Sequence, residues 1–263
     1  MSGQQPKDFV HETDPTSAPT VTDLHLETRR ASLDRRILVW AMVPALLLGG
    51  LLVYVAKIHD FLAISRPVHS DILVVEGWFP KTSAIPDASD VIRRGHYRSV
   101  VCVAIDLTPI RTSRSASDAR QTALRLIALG VDARLIWVLD VPNPAFTRTF
   151  HCGLAVRDWL HRRDPTATSI DLFSVGIHAR KSQIFYQKAL GQSVRVGIIA
   201  GSESAYPVAH WWRSRHGIYL MVRNTIGYLY ARAYFPTQPL PAPGSVKYDE
   251  VAGTSLDARN AGQ

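Results

Sequence analysis

A short run of mostly β-branched apolar residues, Asp71-Ile72-Leu73-Val74-Val75-Glu76, is the feature that most constrains how this chain folds. It stops at the acid and is followed at once by Gly77 and Trp78. Such a run between turn signals is typical of a strand that is buried on both faces of a sheet. Ligands of open α/β sheets bind just beyond the carboxyl ends of the strands, so Glu76, Gly77 and Trp78 lie where a site is expected.

Further apolar runs alternate with helical patterns along the chain. Strands are predicted at 71–76, 99–105, 134–139, 169–174 and 193–199, and helices at 85–95, 118–129, 147–162 and 178–190, with two more helical stretches within 211–235. This alternation is typical of βαβ units and predicts a Rossmann-like, three-layer α/β domain over 70–235, with a mainly parallel sheet of about five strands. The motif Gly-x-Gly-x-x-Gly follows none of these strands, so a dinucleotide site is not predicted.

An apolar span without a charged residue, 37–56, precedes this domain. It matches the roughly 20 residues that a helix needs to cross a bilayer. A cleaved signal peptide is the alternative, but the basic residues follow a long polar tail, and Ala56 is followed by Lys57, which makes a poor cleavage site. We therefore predict one uncleaved transmembrane helix.

Basic residues near the span predict its orientation. Four arginines precede it closely, at positions 29, 30, 35 and 36, against Lys57 and Arg66 after it. The positive-inside rule then places the amino terminus in the cytoplasm and the main domain outside the cytoplasmic membrane. Composition predicts a disordered cytoplasmic tail over 1–36, a juxtamembrane linker over 57–69 and a second disordered tail over 236–263.

The overall charge favours anionic partners. Lys and Arg outnumber Asp and Glu by 30 to 22 and the pI is about 9.7, which suits lipid headgroups or phosphates. After the span there is no dense basic run interleaved with aromatic residues, so nucleic acid is not a predicted partner. Cys102 and Cys152 fall in a predicted strand and a predicted helix; two free buried thiols are favoured over a disulfide, and no metal-type cysteine spacing exists.

Polar residues follow each predicted strand and therefore share one rim of a parallel sheet. Beside those after the first strand, the candidates for ligand binding are Asp106, Asp140, Thr147, Thr149, Gly176, Arg180 and Lys181. Glu76, Asp106 and Asp140 suit acid–base work or a divalent cation, but acids after strands also cap the next helix, and no local metal-ligand spacing supports a metal site. Thr147 and Thr149 lie at a helix start, where Thr is an ordinary cap.

The most informative cluster is Ser174-Val175-Gly176-Ile177-His178-Ala179-Arg180-Lys181-Ser182 at the start of a helix. Free amides and the helix dipole favour an anion there, and Arg180 is suited to grip a phosphate or carboxylate with two hydrogen bonds. His178 is a candidate to give or take a proton. The alternative is a histidine that caps the helix beside an arginine in a surface ion pair. Glu76 and His178 are the candidate catalytic residues.

The domain resembles the SanA/ElyC/YdcF family of bacterial proteins. The resemblance covers roughly 70–201, and its carriers are Asp71-Ile72-Leu73-Val74-Val75-Glu76-Gly77-Trp78, the Arg-Thr-Phe-x-x-x-Leu-Ala-Val segment 148–156 and the Gly-x-His-Ala-Arg-Lys-Ser segment 176–182. It implies a Rossmann-like domain that serves envelope integrity, through peptidoglycan assembly or handling of the lipid carrier. It implies no particular reaction or cofactor.

The expected function is therefore binding of an anionic, phosphate-bearing envelope precursor or lipid carrier by a membrane-anchored protein. Two alternatives stay open at this point. One is a non-catalytic envelope scaffold or regulator. The other is a binder of S-adenosylmethionine or a nucleotide, as the resemblance to soluble relatives implies, with the domain in the cytoplasm.

Overall fold

The structure is a computed structural model that describes residues 21–78, 84–107, 117–144, 146–235, 241–242, 244 and 247–260. The chain divides after Tyr54 into an amino-terminal unit and a compact domain that begins at Val55.

Helix α1 runs Val21–Leu62. Over Trp40–Leu62 it is long and apolar enough to cross a membrane, with a mean hydropathy of 2.0, and side chains such as Leu47 (69%) are largely exposed. The predicted apolar helix is confirmed by length and composition, which a signal sequence also satisfies. The prediction of disorder is wrong for residues 21–36, because they form the first part of α1. These residues contain neither Gly nor Pro. A helix that is already nucleated by the apolar span therefore extends readily through them. Residues 1–20 lie outside the described residues.

Six strands form one sheet in the order β5-β4-β1-β2-β3-β6. The strands are β1 Ile72–Glu76, β2 Ser99–Asp106, β3 Ile136–Pro142, β4 Ser169–Val175, β5 Arg195–Gly201 and β6 Asp249–Ala252. The first five are parallel, and β6 pairs antiparallel with β3 at the edge. The predicted α/β fold with a mainly parallel sheet is confirmed, and the ends of the five predicted strands lie within three residues of the observed ones.

Helices cover both faces of the sheet, which makes the domain three-layered. They are α2 Ala84–Arg94, α3 Asp118–Ala128, α4 Arg148–Arg163, α5 Ala179–Leu190, α6 Arg215–Leu229 and α7 Gly253–Asn260. Residues of α4 and α5 pack in the core on one face, and residues of α2, α3 and α7 pack on the other. Cys152 lies in the first core and Cys102 in the second, and both are free and buried, as expected.

The prediction of a disordered tail over 236–263 is wrong for part of that segment. Residues 249–260 form β6 and α7. Buried Asp158 of α4 accepts a hydrogen bond from Gly244 N at 2.9 Å, and Arg162 Nη2 contacts Glu250 Oε2 at 2.9 Å. These ties, together with burial of Leu256, hold a segment whose polar and Pro-rich composition alone suggested disorder.

Helix α6 lies on the rim of the domain, where it contacts the start of α5. A 3₁₀ stretch, Val208–Arg213, precedes it. The end of α1 belongs to the same domain: the ring centroids of Phe61 and Tyr228 are 5.1 Å apart, and Trp211 Nε1 donates to Val55 O at 3.3 Å. The start of α5 is thus enclosed by α6 on one side and the last turn of α1 on another.

Candidate functional site

The site lies where the winding of the sheet reverses. The chain proceeds from β1 to β2 and β3 on one side and then crosses to β4, which pairs with β1 on its other side. Helices that leave neighbouring strands in opposite directions open a crevice at the carboxyl ends, and open α/β sheets bind their ligands there. Glu76 is the last residue of β1, and Ser174 is next to last in β4.

Glu76 is a buried carboxylate held by three side-chain donors. Like Ile72 and Val74, it is turned by strand alternation to the face that α4 and α5 cover. The Ser174 hydroxyl donates to it, the Ser182 hydroxyl lies 3.0 Å from both of its oxygens, and Trp78 Nε1 donates at 3.3 Å. Burial raises the pKa of Glu76, and the three donors and the charge of Lys181 oppose that rise. A carboxyl group in this environment holds its proton more tightly than one in water and is suited to donate it to a bound group.

Trp78 connects this carboxylate to the surface. Its ring is 46% exposed, and its centroid lies 4.8 Å from that of the His178 imidazole at an interplanar angle of 54°. Trp78 therefore contacts both candidate proton carriers: its indole nitrogen contacts Glu76, and its ring contacts the ring of His178.

His178 ends a 3₁₀ turn, Gly176–His178, that leads directly into α5. Its pKa lies well below the usual value because of burial and because the cations Lys181 and Arg223 act on it, while the nearby side chain of Asn224 acts in the opposite direction. The imidazole is therefore neutral at physiological pH. Lys181 and Arg223 are thus both close enough to act on the ring.

Lys181 lies between the two helices that border the crevice. Burial, and secondarily the charge of Arg223, lower its pKa to about 8, and Glu76 opposes this. Its stem packs on α6, since a Cβ added at Gly227 would lie 2.7 Å from Lys181 Cδ. The small residue leaves room for the lysine, and an amine with such a pKa is strongly sensitive to a bound anion.

A polar group of the core lies beneath the carboxylate. Tyr186 is fully buried, and its hydroxyl has no hydrogen-bond partner among the described residues. Burial raises the pKa of Tyr186 well above its ordinary value, with smaller contributions from Cys152 and Glu76. Burial likewise raises the pKa of the Cys152 thiol. Both groups stay protonated, so neither provides a nucleophile.

The predicted residues on the rim separate into those that meet and those that do not. Glu76, Trp78, His178 and Lys181 come together. Arg180 leaves this group: its Nε donates to Phe61 O, and its guanidinium lies 3.9 Å from the centroid of the Phe61 ring. Arg180 thus links α5 to the end of α1 in this structure.

The two predicted glycines are sites of close packing. A Cβ at Gly77 would lie 2.8 Å from Ala119 Cα, and the Gly77 amide donates to Val103 O at 2.8 Å, so that amide is already used. Gly176 has a left-handed φ of 43°, and its α-carbon faces the side chain of Glu203. Gly77 thus lets two backbone segments approach each other, and Gly176 leaves room for the side chain of Glu203.

Asp140 and the two threonines lie outside this group. Asp140 is buried and accepts from the Ser117 hydroxyl and from Arg120 Nε, the latter at 2.8 Å, which joins β3 to α3. Thr147 precedes α4 with φ of 53° and makes no side-chain cap bond, and Thr149 lies in the first turn of that helix. Asp106 ends β2 beside residues 108–116, which lie outside the described residues.

A second cleft of about 580 Å³ opens near Gly176, on the side where β5 faces α2. Its lining includes the acids Asp87, Asp90 and Glu203, with Arg94 among its basic residues. Asp87 Oδ2 is already used by Ser202 N at 2.7 Å. An acidic lining of this kind suits an anion less well than the corner formed by Lys181 and Arg223.

Sequence analysis missed the serines and α6. Ser182 lies four residues after His178 and therefore on the same face of α5, which helical periodicity allows one to predict. Arg223, Asn224 and Gly227 come from a helix that follows the last parallel strand, and no local motif marks them. They reach the site only because α6 packs across the start of α5.

The fold and the site define a doubly wound α/β domain with Glu76, His178 and Lys181 gathered at its switch point. Comparison of the chain with protein-family models, curated proteins and solved structures finds no match to any of them.

Proposed function

We propose that this protein is anchored in the cytoplasmic membrane by α1 and binds a phosphate-bearing anionic precursor or lipid carrier of the cell envelope at the β1/β4 crevice. In this proposal it supports envelope and peptidoglycan biogenesis, as its resemblance to the SanA/ElyC/YdcF family implies. The domain lies outside the cytoplasm.

The observation that carries the proposal is the pair of basic side chains beside His178, Lys181 and Arg223. Lys181 and Arg223 both act on the imidazole, and they come from two helices that converge on one crevice. A phosphate placed there meets the Lys181 ammonium and the neutral His178 ring, near the amino end of α5, whose dipole favours an anion. Charge-assisted hydrogen bonds of this kind are the strong ones in phosphate recognition.

If the bound precursor is turned over, Glu76 and His178 are the groups that move a proton. Glu76 has a raised pKa because of burial, and His178 has a lowered pKa mainly for the same reason. Burial displaces the two pKa values in opposite directions, upward for the acid and downward for the imidazole, so each group favours its neutral form. A neutral carboxyl group can donate a proton and a neutral imidazole can accept one, as an acid–base pair requires. Trp78 lies against both groups.

The membrane part of the proposal rests on α1. Its segment Trp40–Leu62 is long and apolar enough for a span, and arginines 29, 30, 35 and 36 precede it. A lipid-linked phosphate in the same membrane is a ligand that an anchored domain meets without diffusing through water.

The test is binding of polyprenyl phosphate to the full-length protein in nanodiscs, with the matching polyprenol as the uncharged probe. Lys181→Ala and His178→Ala are expected to weaken binding of the phosphate at least about tenfold each, because each removes a hydrogen bond to a charged group. The polyprenol is expected to bind weakly to all forms.

Lys247→Ala is the matched control, since Lys247 is exposed on the segment before β6 and is expected to leave affinity unchanged. Equal affinity of the wild type and Lys181→Ala for the phosphate would refute the anion site. Equal affinity of the wild type for polyprenol and its phosphate would refute recognition of the charge.

A further inference from the structure

Helix α6 has an apolar side that the domain does not cover. Its inner residues Gly217, Met221 and Asn224 are buried. The large apolar side chains on the outer side and just before the helix are each between 42% and 61% exposed: Trp212, Ile218, Tyr219, Val222, Ile226, Leu229 and Tyr230. A contiguous apolar surface of this kind is typical of a site that binds a membrane or another protein.

The spacing of these residues makes them one stripe. Ile218, Val222, Ile226 and Leu229 recur at three- and four-residue intervals, which puts them on one side of a helix. Because that side is opposite the buried one, the stripe belongs to α6 as a whole and faces away from the candidate site.

Charge in this part of the chain is of one sign. Residues 208–235 contain four arginines, at positions 213, 215, 223 and 232, and neither Asp nor Glu. Tyr and Trp side chains flank the apolar stripe. Apolar residues with arginines and aromatic rings at the margins are the composition of helices that lie in the headgroup region of an anionic membrane.

The position of α6 agrees with that composition. The last turns of α1, from Val55, belong to the domain, and they contact this region through Phe61 with Tyr228 and through Val55 with Trp211. The helix that is apolar enough to span a membrane therefore ends beside α6.

We propose that α6 lies in the interface of the membrane that α1 crosses, with Ile218, Val222, Ile226 and Leu229 in the acyl boundary of an anionic bilayer. Its inner side, with Asn224 and Gly227, then borders the crevice at the depth of the lipid headgroups. This inference rests on the membrane anchoring proposed above and is independent of the ligand.

The experiment uses the full-length protein in vesicles of phosphatidylethanolamine and phosphatidylglycerol, with a nitroxide on one introduced cysteine. The native Cys102 and Cys152 are buried, and burial raises the pKa of Cys102 to about 12, so both stay unlabelled. Collision of the label with oxygen, which concentrates in the bilayer, is compared with collision with a nickel chelate, which stays in water.

The labels are placed at Ile226→Cys, with Arg134→Cys as the aqueous reference and Leu48→Cys as the lipid reference. Arg134 is 80% exposed at the opposite end of the sheet, and Leu48 lies in the exposed apolar part of α1. The Ile226 label is expected to resemble the Leu48 label, with several times more oxygen than nickel contact relative to Arg134. Adding Val222→Glu is expected to return the Ile226 label to water.

Each other outcome overturns the inference in a recognisable way. A Leu48 label in lipid with an Ile226 label in water removes the inference and leaves the anchor standing. An Ile226 label shielded from both oxygen and nickel means that a protein covers α6. A Leu48 label in water removes the anchor and the inference together.

Discussion

The Ser174 hydroxyl at the end of β4 donates a hydrogen bond to the buried carboxylate of Glu76 at the end of β1. This contact crosses the point where the sheet reverses its winding, and it joins residues that are 98 positions apart in the chain. The carboxyl ends of β1 and β4 are therefore joined by a buried hydrogen bond between polar side chains. The predictions below concern what this arrangement does to protons, anions and stability.

Glu76→Gln is expected to change how stability depends on pH. Because burial raises the pKa of Glu76 above 4.5, the folded state holds this proton more tightly than the unfolded state. The favourable contribution is full below pH 4.5 and is lost as pH rises through the folded-state pKa. The variant is therefore expected to gain stability relative to the wild type as pH rises, measured by thermal unfolding in detergent at several pH values. Asp60→Asn is the acid-to-amide control, because the side chain of Asp60 is 83% exposed. If the difference in unfolding temperature between Glu76→Gln and the wild type changes with pH no more than the difference for Asp60→Asn, the prediction is wrong.

Binding of a phosphate-bearing ligand is expected to weaken as pH rises through about 8, where the Lys181 ammonium loses its proton. A bound anion favours the charged amine, so the midpoint measured with ligand lies above that value. In Lys181→Arg the cation keeps its charge, and the loss of affinity above pH 8 is expected to disappear. Titration of affinity by calorimetry from pH 6.5 to 9.5 checks this, and identical profiles for both proteins would exclude Lys181 as the titrating group.

Gly227→Ala is expected to separate binding from stability. The added methyl meets the flexible Lys181 stem at 2.7 Å, so the lysine moves and the fold remains. Ala is the better helix former by up to about 1 kcal/mol, so unfolding temperature is expected to stay level or rise while ligand affinity falls. A fall in unfolding temperature with unchanged affinity would show that Gly227 serves packing only.

Asp171→Ala is expected to destabilise the domain by about 2–4 kcal/mol, because one buried and one half-buried backbone donor lose their partner. Asp171 is fully buried in β4 and accepts from Val68 N at 2.7 Å and Ser70 N at 3.0 Å, which ties the segment after α1 to the sheet. Asp60→Ala, which removes a side chain that is 83% exposed, is expected to change stability by less than about 0.5 kcal/mol. Chemical unfolding followed by tryptophan fluorescence measures both, and similar losses would refute the role of Asp171.

An alkaline phosphatase fused to the carboxyl end is expected to be active in a bacterial host, because that enzyme folds only outside the cytoplasm. The arginine bias around α1 is the reason for this expectation. A green fluorescent protein fusion at the same point is the reciprocal control and is expected to stay dark. A dark phosphatase with a bright fluorescent fusion would place the domain in the cytoplasm and favour binding of S-adenosylmethionine or a nucleotide.

Much of the candidate site follows from the opening strand and the start of α5. Glu76 and Trp78 end one parallel strand and His178 and Lys181 follow another, and parallel strands bring their carboxyl ends to one rim. That rule is general, so sequence is enough to place these four residues near one another. Sequence is not enough to distinguish these four residues from Asp140, which also follows a predicted parallel strand. The carboxylate of Asp140 instead accepts hydrogen bonds from Ser117 and Arg120.

The sequence by itself determined the alternation of strands and helices, the apolar helix before the domain and the rim on which polar residues gather, because hydrophobic periodicity and turn residues act locally. Only the tertiary structure decided that Arg180 turns to Phe61, that Arg223 and Asn224 border the crevice, and that residues 249–260 join the fold. These outcomes depend on which surfaces meet across long separations in the chain. Long-range packing of this kind is set by shape and by the pairing of buried polar groups, and neither is written in any single segment.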